Sequence, residues 1–385
     1  MTDVQETLEI FEEACGEEIA APEAQDEKPE ITEFSQKGYL HLKENQLGEA
    51  EDCFRSILAL EPHNNYALVG MGDLARKRSD FTTAVEFYDE CLKHHPENNY
   101  ALFGLADCYK AFKNYPRAIK IWEHYLRHDD KNITVLTRIA DAYRKVKDLG
   151  KSQNLYEQVL AIEKDNPYAL IGLGHLYYDF KEYEKALYYW ERMIATHSTG
   201  EVDIRVLTSV GNCHRKLKNY ASGIEVFRLA LKLAPDNFYA LFGMADCYRG
   251  MNMHEEALEY WNRILSRDPA NRVILTRAGE EYRAMGKFDE ALAFYEKALN
   301  IEYDAYAVMG IALINKEKGK YPEAISSLEA LRRSDFKTTR LHTELADCYV
   351  KVGQEKKAEE ILASIARRGS RLAGGFPEKS RRGPR

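Results

Sequence analysis

The segment Asn99 to Ala111 reads NYALFGLADCYKA, and Phe238 to Gly250 reads FYALFGMADCYRG. Each sets a thiol beside a carboxylate, Asp107 next to Cys108 and Asp246 next to Cys247, a pairing that serves nucleophilic chemistry only where the thiol is exposed and ionised. Each also sets a base three residues after the acid: Asp107 and Lys110, Asp246 and Arg249. The same spacing joins Asp73 to Arg76, Asp141 to Arg144, Asn212 to Arg215 and Glu280 to Arg283. Residues three apart share a helix face. Such a face can bind a ligand, with arginine gripping carboxylates and aspartate accepting N–H groups, or each acid can neutralise its own base; the spacing leaves both readings open. A catalytic signature is used once per active site, whereas six occurrences call for a repeated structural unit.

Other chemistry is sparse. The sequence contains no HExxH, GxSxG or GxxxxGK[ST] pattern, and its seven cysteines include no CxxC pair, which favours reduced, buried thiols over disulfides or zinc. The eleven histidines show no ligand spacing, and the adjacent His94 and His95 must point to different faces, so no metal and no cofactor are expected. GMGDLA (70–75) imitates a dinucleotide fingerprint but lies within a helical pattern, without the strand and tight turn that a pyrophosphate site needs.

The elements that carry these residues follow from the period. The two opening segments start 139 residues apart, four 34-residue periods and three more residues, which fall in THSTGEVD (196–203). Ten units begin at Ile31, Asn65, Asn99, Ile133, Pro167, Ile204, Phe238, Arg272, Ala305 and Thr339. Positions 4, 7, 8 and 11 are apolar or small, as in Leu102, Leu105, Ala106 and Tyr109; positions 20, 24 and 27 are apolar, as in Ala118, Trp122 and Tyr125. Both sets have helical spacing. A turn separates them near positions 14–17, and Pro62, Pro96, Pro235 and Pro269 at position 32 stop the second helix. Units also alternate: position 6 is glycine in the YALxG type (Gly70, Gly104, Gly172, Gly243, Gly310) and Arg138, Ser209, Arg277 or Glu344 in the other. Glycine inside a helix costs about 1 kcal/mol against alanine. Something must approach closely there, either a neighbouring unit's side chain or a ligand backbone.

A 34-residue helical hairpin with a large residue at 4, Gly or Ala at 8, Tyr at 11, Ala at 20, an aromatic at 24 and Pro at 32 resembles the tetratricopeptide repeat family, over residues 31–369. Ser152 and Gly223 at position 20, Asn315 at 11 and His342 at 4 depart from the pattern. The resemblance implies an all-α, right-handed superhelical solenoid of ten helix-turn-helix hairpins whose first helices line a concave groove. It places in that groove Tyr66, Tyr100, Tyr168 and Tyr239 at position 2, Phe103 and Phe242 at 5, and Arg138 and Arg277 at 6. Positions 9 and 12 add Asp73, Arg76, Asp107, Lys110, Asp141, Arg144, Asn212, Arg215, Asp246, Arg249 and Arg283. The function this implies is a non-enzymatic scaffold that binds protein or peptide segments. The alternative is a helical-repeat protein that binds RNA through the basic groups, against which the acids at position 9 and a net charge of −8 both speak.

Charge is uneven along the chain. Residues 1–30 carry eleven Asp or Glu against Lys28, and residues 367–385 carry seven Arg or Lys against Glu378. Both are expected to be solvated tails, with 370–385 disordered. Val4, Leu8, Phe11 and Cys15 have the spacing of a short amphipathic helix, which could cover the exposed side of the first repeat, dock in the chain's own groove, or dock in that of a second copy and so join copies into an oligomer. The acidic start has no signal-like region and no apolar run is long enough to span a membrane, so the expectation is a cytoplasmic protein with no membrane insertion.

Overall fold

The computed structural model describes residues 29–196, 204–334, 336 and 338–363, and these residues contain no strand. In the first half the helices are α1 (Pro29–Lys43), α2 (Leu47–Leu60), α3 (Asn65–Lys77), α4 (Phe81–His94), α5 (Asn99–Ala111), α6 (Tyr115–Tyr125), α7 (Ile133–Lys145), α8 (Leu149–Ile162), α9 (Pro167–Asp179) and α10 (Tyr183–Thr196). In the second they are α11 (Ile204–Lys216), α12 (Tyr220–Leu233), α13 (Phe238–Gly250), α14 (His254–Arg267), α15 (Arg272–Ala284), α16 (Phe288–Ile301), α17 (Ala305–Glu317), α18 (Tyr321–Arg333) and α19 (Thr339–Lys351), followed by helix over 355–363. The expected hairpins are all present. The N-terminal amphipathic segment, the three-residue insertion and the basic tail lie outside the described residues.

Local chemistry punctuates each hairpin at fixed positions. The side chain of the residue before a first helix accepts from the N–H three residues on: Asn64 from Ala67, Asn98 from Ala101, Asn132 from Val135, Asn166 from Ala169, Asn237 from Ala240 and Asn271 from Ile274. Asp304 and Thr338 do the same. That satisfies a donor that the helix leaves unpaired. At the other end every unit has a left-handed residue at position 15: Asn45, Ser79, Lys113, Lys147, Lys181, Lys218, Asn252, Gly286, Gly319 and Gly353. The next N–H reaches back five residues, as in Asn114 to Tyr109 O at 2.8 Å and Asp148 to Tyr143 O at 2.9 Å, closing a Schellman motif.

The chain falls into two compact units, Met1–Val206 and Leu207–Arg385. In the first, each helix packs on the next from α1 to α10, and the first helices also touch one another, α1 on α3, α3 on α5 and α7 on α9. In the second, the same stacking runs from α12 to α19, with α15 on α17 and α17 on α19. Each unit is thus a stack of helical hairpins whose core lies between successive repeats.

The aromatic at position 24 joins those repeats. Tyr88 is wholly buried, and a Cβ added at Gly72 of its own repeat or Gly104 of the next would stand 2.5 and 2.3 Å from its ring. Phe54, Phe227 and Tyr295 are held the same way between two glycines, and Tyr156 lies against Gly172. The close approach at position 6 is therefore made by the preceding repeat's aromatic ring. Repeats whose position 24 is tryptophan, Trp122, Trp190 and Trp261, are followed by Arg138, Ser209 and Arg277 instead of glycine. The departures from the pattern are also accommodated: Ser152 donates to Ala140 O at 2.7 Å, and His342 lies buried with Nδ1 2.8 Å from Thr338 O.

Candidate functional site

The first helices present positions 2, 5, 6, 9 and 12 on one face, and the structure shows how their charges are arranged. Asp107 lies between two arginines of the neighbouring repeats: Arg138 Nη1 donates to Oδ1 at 2.8 Å, and Arg76 Nη1 approaches Oδ2 at 3.5 Å. Arg144 reaches its own Asp141 at 2.7 Å and Asp179 of the next repeat at 2.6 Å. In the second unit Arg215 holds Asn212 at 3.1 Å and bonds Asp246, which Arg249 also bonds. Arg249 extends to Glu280 at 3.9 Å, Arg277 meets the same carboxylate at 3.3 Å, and Arg283 pairs with Glu317. Of the six i, i+3 pairs in the sequence, Asp141–Arg144, Asn212–Arg215 and Asp246–Arg249 close within their helix, while Arg76 and Arg283 reach a carboxylate of the next repeat.

Burial sharpens this electrostatics. Arg138, Asp107, Asp141 and Arg144 have side chains only 10–14% exposed. Burial raises the carboxyl pKa of Asp141, but Arg144 and Lys110 outweigh it and hold the group below its usual range; Arg249 and Arg215 do the same for Asp246. Lys145, beside Arg144, is pushed down to about 8 by burial and then by that like charge. Asp73 accepts from the Tyr88 hydroxyl at 2.6 Å. His175, at position 9 where other repeats carry acids, is pushed down to about 3 by burial and then by Arg144, and lies edge-on to Trp190 at 5.2 Å.

The aromatic groups divide by role. Phe103 lies under the Arg138 guanidinium at 4.7 Å, while Phe242 packs edge-on to Trp261 at 5.1 Å, so both are partly spent on the repeat itself. Tyr66, Tyr100, Tyr168 and Tyr239 are half-buried at the N-terminal end of their helices, with one side open to solvent. Tyr39 was not anticipated; its hydroxyl donates to Tyr66 O at 3.1 Å, and burial pushes its pKa up. Its signal was the odd register of the first unit, which has tyrosine at position 9.

Three family profiles, each described as Tetratricopeptide repeat, match residues 75–140 and 214–278, residues 36–92 and 137–200, and residues 274–304. The chain belongs to the tetratricopeptide repeat family. Among curated proteins no relative matches it. Of solved structures, the C-terminal part of a tetratricopeptide repeat-containing protein from Cytophaga hutchinsonii overlaps with a TM-score of 0.55 at 17% identity, covering 63% of this chain and 99% of its own. YrrB, described as a tetratricopeptide protein with an unusual peptide-binding site, overlaps at 0.43 with 20% identity, covering 49% of this chain and 95% of its own. Pseudomonas aeruginosa pilF overlaps at 0.47 with 15% identity, covering 55% and 95%.

Within these tetratricopeptide repeats the position-10 thiols, those of ADCY among them, are inert. Cys108, Cys213, Cys247 and Cys348 are fully buried, and burial pushes the Cys108 and Cys247 thiols up to about 12. GMGDLA lies mid-helix in α3, as expected. The expectation that histidines do not cluster is corrected. His63, Glu90 and His94 come together, as do Glu97, His124 and His128, each set with its ligand atoms within 4.8 Å. One member of each set comes from the end of the preceding repeat, a neighbour that linear spacing does not show. His94 and His95 both meet His63 of the preceding repeat, His94 stacked on its ring and His95 Nε2 2.9 Å from its backbone O.

Proposed function

We propose that this tetratricopeptide repeat protein is a non-enzymatic scaffold whose first-helix face holds an extended protein segment. The observation that carries the reading is the row of half-exposed position-2 tyrosines, Tyr66, Tyr100 and Tyr168, beside inter-repeat ion pairs. Aromatic side chains offer large contact area at small entropic cost, and an arginine already fixed by a carboxylate is pre-oriented to share a further acceptor. Family membership supports protein interaction in general; the tyrosine row narrows it to this face.

The RNA alternative loses support from the same geometry. Arg138, Arg144, Arg215, Arg277 and Arg283 are each already neutralised by a carboxylate, so the face offers little net positive charge to a phosphate backbone. The two readings separate in one experiment. A random-peptide display selection on the full chain should yield binders whose affinity falls by about tenfold or more with Tyr66→Ala plus Tyr100→Ala and changes little with salt. Single-stranded RNA bound in preference, with affinity lost steeply between low and moderate salt as counterions are released, would overturn the reading.

A further inference from the structure

We infer that Glu97, His124 and His128 form a divalent transition-metal site that fastens the second repeat to the third. His124 stands in the last turn of α6 and His128 in the turn after it, while Glu97 belongs to the loop before α5. Both imidazole Nε2 atoms face one carboxylate oxygen, Glu97 Oε2: His124 at 3.4 Å, and His128 in closer contact. Ligand atoms around a tetrahedral ion with bonds of 2.0–2.1 Å lie about 3.3 Å apart. The His124 to Glu97 separation already matches that spacing, and His128 needs only to draw back from a direct hydrogen bond. The two rings are tilted by 46° with centroids 6.1 Å apart, which lets both nitrogen lone pairs converge on a point beside Oε2.

The second cluster shows what convergence requires. His63 and His94 are stacked, 3.7 Å between centroids and 24° between planes, so their in-plane lone pairs run side by side and cannot meet at one ion. The two clusters occupy the same register, position 33 of one repeat against positions 26 and 30 of the next, but the carboxylate stands at position 26 in the Glu90 cluster and at position 33 in the Glu97 cluster, which sets both imidazoles on one repeat only in the latter.

That register is a fastening point elsewhere. Asp165 at position 33 pairs with Arg192 at position 26 of the following repeat at 2.9 Å, and Asp236 pairs with Arg267 at position 30 of its neighbour. Between the second and third repeats histidines stand where those arginines stand, and Glu97 has no fixed cation opposite it. A bound dication restores that charge. Two imidazoles and one carboxylate select zinc, nickel or copper over calcium and magnesium, which prefer all-oxygen shells. Glu97 is 61% exposed and the histidines about a third, so water completes the shell and the ion exchanges with solvent.

The test uses the full chain, stripped with chelator and titrated calorimetrically with zinc chloride. The expected result is one site of micromolar affinity that weakens by about tenfold or more in His128→Ala and in Glu97→Gln, and stays within about twofold in His94→Ala. Circular dichroism of the metal-free variants confirms that these surface changes leave the fold intact. Cobalt(II) added to the unaltered protein reads coordination by the protein, through visible d–d bands shifted and intensified relative to aqueous cobalt, which zinc then abolishes. Identical zinc titrations for wild type and His124→Ala plus His128→Ala, a loss confined to His94→Ala, or a cobalt spectrum unchanged from that of the aqueous ion would overturn the assignment.

Discussion

Gly104 and Gly150 are both helical glycines, yet their replacement by alanine should act in opposite directions. A Cβ at Gly104 would meet the Tyr88 ring at 2.3 Å, whereas at Gly150 nothing lies nearer than Asp148 Oδ1 at 4.0 Å. Overpacking costs about 1–3 kcal/mol, more than the helix gain of about 1 kcal/mol, so Gly104→Ala should lower stability in urea unfolding and Gly150→Ala should raise it. A stabilised Gly104→Ala would show that the ring is free to move aside. His175 governs a second residue-scale effect. Its pKa falls from 6.5 to about 3 on folding, so between those values the unfolded chain binds the extra proton and stability drops as pH falls. His175→Gln should flatten that acid-side loss relative to wild type, measured by denaturation between pH 4 and pH 7, about the span where a buried imidazole resists its proton. At this scale the sequence showed the acid and base at i, i+3 and the unusual glycine. It could not show that Arg138 turns back to Asp107, because that contact joins residues 31 apart whose meeting depends on how two repeats stack.

Each hairpin depends on two backbone devices, and they respond differently to substitution. Lys113, Lys147, Lys181 and Lys218 adopt positive φ near 60°, a conformation that costs an L-residue about 1–2 kcal/mol, while Gly286, Gly319 and Gly353 hold the same position without that strain. Lys147→Gly should therefore raise the unfolding midpoint, with a net gain of about 0.5–1 kcal/mol after the entropy of the unfolded glycine is subtracted. Asn98→Ala removes the cap on Ala101 N–H and should cost about 1 kcal/mol. Unchanged stability in both variants would mean that tertiary packing alone sets the helix ends. The hairpins themselves were legible because apolar spacing and position-32 proline are local signals. The His–Glu–His clusters were not, since positions 33, 26 and 30 approach only when the second helix of one repeat packs beside the end of the one before.

At the scale of the whole chain, repeats within each compact unit pack on their sequence neighbours, at five junctions through a ring seated on the next repeat's glycine. Trp122→Ala should cost about 3–5 kcal/mol and speed amide exchange mainly in α5 to α8, leaving α13 to α19 unchanged; uniform acceleration would contradict nearest-neighbour stacking. Ten-fold repetition made the fold readable from the sequence, but function rests on which side chains stay available once the repeats have stacked. The position-2 tyrosines stay half open, while most charged groups of the same face are paired. The most direct test replaces Tyr100 with a photo-crosslinking phenylalanine analogue in the native cell, and makes the same replacement at Tyr188 on α10, a second-helix residue 58% exposed. The expected result is a discrete protein adduct from position 100, with its cross-linked peptide in one extended segment, and no such adduct from position 188. Equal adducts from both positions, or nucleic acid attached at position 100, would contradict a first-helix face built to hold a protein segment.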